Sequence, residues 1–168
     1  MNLCKTICLD YDNEMKNTRT LLERIVLDDA HRNFVPHAKS MPLDRLATHV
    51  AELPNWVASV VNKDGMDMPA DYKPHVVAST EELVSLFDKC VAEGWTAIAS
   101  ASDEEMAKTW TFNYAGQHVF TLPKTALIRE CINHLIHHRA QLSVYLRLLE
   151  IPVPGMYGPS ADDVWPAK

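Results

Sequence analysis

The sequence predicts an all-α fold, a four-helix bundle formed as a single domain over residues 1–168. Three observations carry the prediction. Apolar residues recur at three- and four-residue spacing in four long stretches, which is the signature of helices with one inward face. The segments between them gather proline, glycine and small polar residues. The last stretch also places two histidines on its apolar stripe. A chain of 168 residues supports one sizeable core, with roughly two thirds of its extended surface buried.

The first helix is expected from about Leu9 to Leu27, with Met15, Leu22 and Ile25/Val26 facing inward and Asp12, Glu14, Lys16, Arg19 and Glu23 outward. The segment His31–Ser40 lacks periodicity and reads as a loop, with Ser40 as the cap of the next helix and Pro42 in its first turn. Helix two, about Met41 to Val61, turns Leu43, Leu46, Ala47, Val50, Leu53, Val57 and Val60/Val61 inward, and His49 lies at the edge of that arc. Pro54 either bends this helix beside His49 or ends it. Residues 62–78, with Gly65, Pro69 and Pro74, read as a loop. Ser79-Thr80-Glu81-Glu82 resembles a capping box opening helix three, about Thr80 to Ala101, with Leu83, Leu86/Phe87, Cys90, Ala97/Ile98 and Ala101 inward and Gly94 as a weak point. Residues 110–122 alternate around Ala115-Gly116, as a small hairpin or an extended connection would. The aromatics of this stretch line a pocket or, in the commoner use of such side chains, cover the end of the bundle. Thr121 and Pro123 open helix four, about Leu122 to Glu150, and the Pro- and Gly-rich tail from Ile151 has no regular structure.

In helix four the stripe Leu127, Cys131, His134, His138, Gln141/Leu142, Tyr145, Leu148/Leu149 assigns both histidines to core positions. Four residues advance a helix by 400°, so the two rings point within about 40° of each other and lie roughly 6 Å apart along the axis. One cation can bridge them. Buried unpaired ring nitrogens cost about 1–3 kcal/mol each, so two imidazoles on an apolar stripe call for a metal or for a satisfying partner each. His49 is the candidate third ligand. Cys131, one turn before His134, is either a soft ligand or a small buried hydrophobe.

The 22 acidic and 16 basic residues give a net charge of -6, with no Lys/Arg cluster longer than a pair, which disfavours a nucleic-acid partner. No stretch approaches the apolar length of a membrane span, and the first residues lack a signal-peptide pattern, so no membrane partner is expected and the location expected is cytoplasmic. Cysteines 4, 8, 90 and 131 follow no CxxC pattern and fit reduced thiols.

Two segments together, Leu46-Ala47-Thr48-His49-Val50-Ala51-Glu52-Leu53 and Asn133-His134-Leu135-Ile136-His137-His138-Arg139-Ala140-Gln141-Leu142, resemble the DinB family of the DinB/YfiT-like superfamily, which is distinct from the translesion polymerase of the same name. Pro36-His37-Ala38-Lys39-Ser40-Met41 and Leu142-Ser143-Val144-Tyr145-Leu146-Arg147-Leu148-Leu149 match as well, so the resemblance spans nearly the whole chain. It implies a four-helix bundle of up-down-down-up connectivity, a homodimer, and a divalent metal held by His49, His134 and His138. Relatives include metal-dependent thiol S-transferases using bacillithiol or mycothiol and a mycothiol-dependent isomerase, and the family name refers to damage induction.

Three imidazoles leave coordination positions open, as in a catalytic site, and zinc, nickel and iron(II) all suit them. A thiol or a water could be activated there against a small electrophile, which makes the chain a candidate thiol transferase or hydrolase acting on a small molecule, with a low-molecular-weight thiol as co-substrate. The alternative is a non-catalytic metal-binding stress-response bundle. Glu52 and Gln141 are within reach of the metal face as groups fixing ring tautomers, or are solvated. His137 is a candidate proton carrier or an interface residue. Arg139 and Arg147 lie off the stripe and are expected to face solvent or a dimer partner, or to pair with a substrate carboxylate.

Overall fold

The computed structural model describes residues 3–164, among which five helices and one small sheet follow the order α1 (Leu3–Leu22), α2 (Leu43–Asn62), β1 (Gly65–Met68), α3 (Thr80–Ser100), α4 (Asp103–Ala107), β2 (Thr109–Tyr114), β3 (Gln117–Pro123) and α5 (Lys124–Leu148). The fold is mostly helical, and the three-stranded sheet corrects the all-α expectation. Helix α2 packs against α3 and α5, and α1 packs against the same two, so the four long helices share one contiguous buried cluster.

Helix α1 begins two turns earlier than expected because Cys4 and Ile7 extend the buried stripe through Tyr11, Met15, Thr18 and Leu22. It stops at Leu22, where the amides of Arg24 and Ile25 turn to the carbonyls three residues back, Leu21 and Leu22. Ile25 stays buried on the extended chain beyond, and Val26 is exposed. Every residue assigned to the inward arc of α2 is buried. Ser40 does not cap this helix. Pro42 occupies that position without a side-chain bond, and loop carbonyls serve instead: Leu43 N donates to Phe34 O at 3.0 Å and Asp44 N to Arg32 O at 3.1 Å.

Pro54 lies inside α2, which continues eight residues past it to Asn62. Gly94 is the matching position on α3. A Cβ there would fall 2.8 Å from the Pro54 carbonyl oxygen and 2.2 Å from the Tyr11 hydroxyl oxygen, so the glycine permits α1, α2 and α3 to close together rather than merely weakening a helix. Ser79 caps α3 by accepting the Glu82 amide at 3.2 Å, while the Glu82 carboxylate accepts the Ala78 amide at 2.7 Å.

The hairpin reading of residues 110–122 holds. Strands β2 and β3 pair antiparallel, with Ala115 (φ 50) and Gly116 (φ 75) in the left-handed region that a two-residue turn requires. The expected loop at 62–78 contains a strand, β1, which pairs parallel with β2 from Gly65 opposite Thr111 to Met68 opposite Tyr114. A Cβ on Gly65 would sit 2.6 Å from Thr111 O, so a glycine is needed for this approach. The short α4 was also not anticipated; Ser102 caps it and Met106 is fully buried.

Helix α5 is anchored at its start by Lys124, whose buried ammonium donates to Val61 O at 3.0 Å and to Glu105 Oε1 at 2.6 Å. Its buried face runs Leu127/Ile128, Cys131/Ile132, Leu135, Arg139, Leu142 and Tyr145/Leu146, so Leu127, Cys131, Leu142 and Tyr145 are inward as read in the sequence, while the centre of the face lies one residue further round. His134 and His138 therefore do not occupy core positions: His134 is exposed and His138 half-buried. The expectation that Arg139 faces solvent or a partner is likewise overturned. Arg139 is 2% exposed and reaches α1, donating to Glu14 O and Thr18 Oγ1 at 3.0 and 3.1 Å, with Glu14 Oε2 at 2.7 Å. Tyr157, from the irregular tail, donates to the same Glu14 carboxylate at 2.8 Å. Arg147 does face solvent and pairs with Asp162 of the tail at 2.6 Å.

Candidate metal centre

Rotating the core stripe by one residue turns the two α5 histidines into the groove between α5 and α2, where His49 meets them. His134 Nε2 lies 2.8 Å from His138 Nε2 and 3.4 Å from His49 Nε2, and the ligating atoms of the three all lie within 4.8 Å of one another. The ring planes cross at 65° for His49 and His134, 74° for His49 and His138 and 48° for His134 and His138, so the rings converge through their edges and do not stack. Among the described residues this is the group of three or more metal-ligating side chains placed to share one ion.

The donor set fits a transition metal. Gln141 Oε1 is 2.7 Å from His138 Nδ1 and accepts its proton, which leaves the His138 Nε2 lone pair facing His134. Two lone pairs facing each other at 2.8 Å would repel, so either the Nε2–H tautomer of neutral His134 donates to His138 Nε2 or a cation takes the place of that proton. A tetrahedral zinc, with bonds of roughly 2.0–2.1 Å, separates its ligand nitrogens by about 3.3 Å, close to the 3.4 Å between His49 and His134 and wider than the 2.8 Å between His134 and His138, which would spread to admit the ion. Protonation is disfavoured here: burial, then the like charge of His138, His134 and Arg45, pulls the His49 pKa down to about 4, and burial lowers those of His134 and His138 as well. The cluster is neutral at pH 7, the form in which imidazole ligates.

The surrounding groups sort the expectations made from the sequence. Gln141 is the group that fixes a ring, and its amide nitrogen, 3.1 Å from His137 Nε2, ties that exposed imidazole to the same network. Glu52 pairs with Arg45, its Oε2 4.0 Å from Arg45 Nη1. Cys131 behaves as a small buried hydrophobe: burial pushes its thiol up to about 12, away from the thiolate that would ligate. Arg45 was not anticipated. Its guanidinium helps hold the protons off His49 and His138, and its Nη1 is buried without a hydrogen-bond partner. The signal was present, since Arg45 and Trp56 sit four residues before and seven after His49 and share its face of α2.

Two cavities flank the imidazoles along the groove. One, of about 440 Å³, lies past His138 and Gln141 and is bounded by Lys39, Met41, Leu46 and Tyr145. The other, of about 340 Å³, opens at His134 and is walled by Trp56, Phe112 and Phe120, so two of the hairpin aromatics line a pocket, while Trp110 is packed in the core and Tyr114 is exposed. A larger hollow of about 600 Å³ on the α2–α3 side, bounded by residues such as Asn55, Lys63, Glu93 and Thr96, contains none of the histidines.

The DinB family profile matches residues 6–165. A DinB-like protein from Bacillus subtilis, YjoA, superposes with a TM-score of 0.68 at 16% identity, covering 92% of this chain and 99% of that one. A DinB-like protein from Bacillus cereus ATCC 10987 gives 0.69 at 20% identity, covering 91% and 97%. These two likenesses bear on the fold. The uncharacterized protein YrdA of Bacillus subtilis (strain 168) is 29% identical over 80 residues, 44% of this chain and 46% of that relative, so the chain spans about half the length of the curated relative it matches. With the profile covering nearly every residue, the chain belongs to the DinB family.

Proposed function

We propose that the chain is a metal-dependent enzyme in which His49, His134 and His138 hold one divalent transition metal, zinc, nickel or iron, and a thiol or water is activated against a small electrophile. The observation that carries this reading is the convergence of three neutral imidazole edges from two helices in a groove open to solvent at His134. Bound there, such a cation supplies the Lewis acidity that brings a thiol or water to its deprotonated, nucleophilic form near pH 7. Gln141 holds the His138 ring, and His137, exposed and joined to Gln141, is the group we assign to carry the proton. The flanking cavities support a catalytic reading over a stress-response bundle with a purely structural metal, because a closed four-ligand site would need neither.

The up-down-down-up connectivity, the single domain, the cytoplasmic location and a homodimer belong to the same proposal. Among the described residues no helix is long and apolar enough to cross a membrane. Val144 and Leu148, 55% and 54% exposed one turn apart on α5, support a second copy as partner.

Elemental analysis of untagged protein beside His49→Ala and His134→Ala tests the site. About one transition metal per chain, lost in both variants, is expected; no metal after reconstitution overturns the reading. Metal-loaded protein should then consume a low-molecular-weight thiol with a chloro-dinitroarene, and His138→Ala should abolish the reaction.

A further inference from the structure

The cavity at His134 has the chemistry of a substrate subsite. Its walls are Leu53 and Trp56 from α2, Leu127 from α5, and Phe112 and Phe120 from the hairpin. The aromatic rings hold one another in place: Phe112 and Phe120 lie 5.5 Å apart at 28°, Trp56 and Phe112 6.2 Å apart at 55°. All three are only partly buried, so the cavity leaves apolar surface facing water. At about 340 Å³ it falls at the small end of the range of roughly 300–1,000 Å³ for ligand pockets, the size of one or two fused rings. No cationic side chain lines it. Glu130 supplies its one formal charge, which repels anions, and His134 places its inner end beside the converging nitrogens.

We infer that this cavity is the subsite for the electrophile and selects an uncharged molecule with an aromatic or comparably flat apolar body, held so that its reacting end faces His134. The inference rests on the metal-enzyme reading and adds to it the class of substrate. The hairpin thereby has a role in specificity: β2 and β3 carry two walls of a site whose ligating residues all lie on helices.

Titration calorimetry with 2-naphthol and 2-naphthoate tests this directly, without turnover, with metal content measured on the same samples. The neutral naphthol should bind wild type, and naphthoate at least about tenfold more weakly. Phe120→Ala should weaken naphthol by about tenfold through lost ring contact, and Trp95→Ala, an exposed indole of α3 outside the cavity, should leave it unchanged. If Phe120→Ala loses the hairpin, Trp56→Leu on the opposite wall carries the same expectation. No naphthol binding, equal binding of naphthoate, or indifference to both wall variants overturns the subsite. Naphthol binding to protein that never takes up metal would overturn the metal reading and leave the cavity as an apolar binding site.

Discussion

Replacing Gln141 with leucine isolates the group that orients a ligand from the ligand itself. The substitution removes the acceptor 2.7 Å from His138 Nδ1 and the donor 3.1 Å from His137, while leaving all three ligating nitrogens in place. Partners of this kind are worth 10–100-fold in metal affinity, about 1.4–2.7 kcal/mol. Gln141 is half-buried, so water can replace part of what is lost, and a neutral hydrogen bond contributes about 0.5–1.5 kcal/mol. The expected loss is therefore at the lower end, about tenfold. Competition for zinc against a chromophoric chelator at pH 7.5 measures it. Gln141→Glu keeps an acceptor at the same reach and should restore most of the affinity, and urea midpoints should agree across the three proteins, as for other substitutions outside the core. Zinc affinity for Gln141→Leu within twofold of wild type would refute the assignment of Gln141 as the residue that fixes His138.

Gly94→Ala gains about 0.5–1 kcal/mol of helix preference but sets a methyl 2.8 Å from the Pro54 carbonyl oxygen and displaces the Tyr11 hydroxyl from its bond to Val91 O; overpacking of about 1–3 kcal/mol and one lost hydrogen bond leave a net destabilisation of about 2 kcal/mol in urea, and an equally stable variant would contradict it. Arg139→Met strands the Glu14 carboxylate, 14% exposed, beside Tyr157 alone. Breaking a buried pair costs about 3–5 kcal/mol, and the remaining contact with water and with Tyr157 reduces this to about 2–3 kcal/mol by equilibrium unfolding; a loss under 1 kcal/mol would show that the pair is dispensable. Hydrogen bonds from Lys108 and Lys124 hold the Glu105 pKa down at about 2, below the ordinary 4.5. A depressed carboxylate contributes stability above the unfolded-state value, so the advantage of wild type over Glu105→Gln should be complete above pH 5 and fade as pH falls from 4.5 toward 2; parallel stability profiles across that window would exclude the linkage.

The four long helices were legible because burial imposes a period that local sequence displays, and α2 shows it most cleanly, with every assigned inward residue buried. The three histidines were legible for a related reason: polar rings near an apolar face have to be satisfied by something. What escaped was set by tertiary contacts. Arg139 sits in the middle of the buried face of α5 as a charge whose partners, Glu14 and Thr18, lie more than 120 residues earlier, so the apolar pattern, right at Leu127, Cys131, Leu142 and Tyr145, put His134 and His138 in the core and Arg139 outside it. Strand β1 is four residues long with a glycine, and its pairing with β2 across 46 positions has no local signature. The end of α1 has neither Gly nor Pro to mark it.

That one-residue rotation of α5 also bears on whether the cation would be structural. Had His134 and His138 been core residues, the ion would have been the centre of the fold and its loss would have left bare imidazoles among apolar side chains. Instead the packing of α5 is complete without them. Lys124 ties its first turn to α2 and α4, Arg139 ties its middle to α1, and Leu135, Leu142 and Leu146 fill the core between. Helix α2 is likewise held by Leu46, Val50 and Leu53 against that same core. Fully buried side chains of this size contribute roughly 1.5–3 kcal/mol each, and none of that depends on an ion. The groove is thus framed by contacts in which the three imidazoles take no part, so apo protein is expected to fold. A site on such a scaffold could hold an ion loosely enough to keep coordination positions open, which is the condition that the proposed chemistry at His49, His134 and His138 demands.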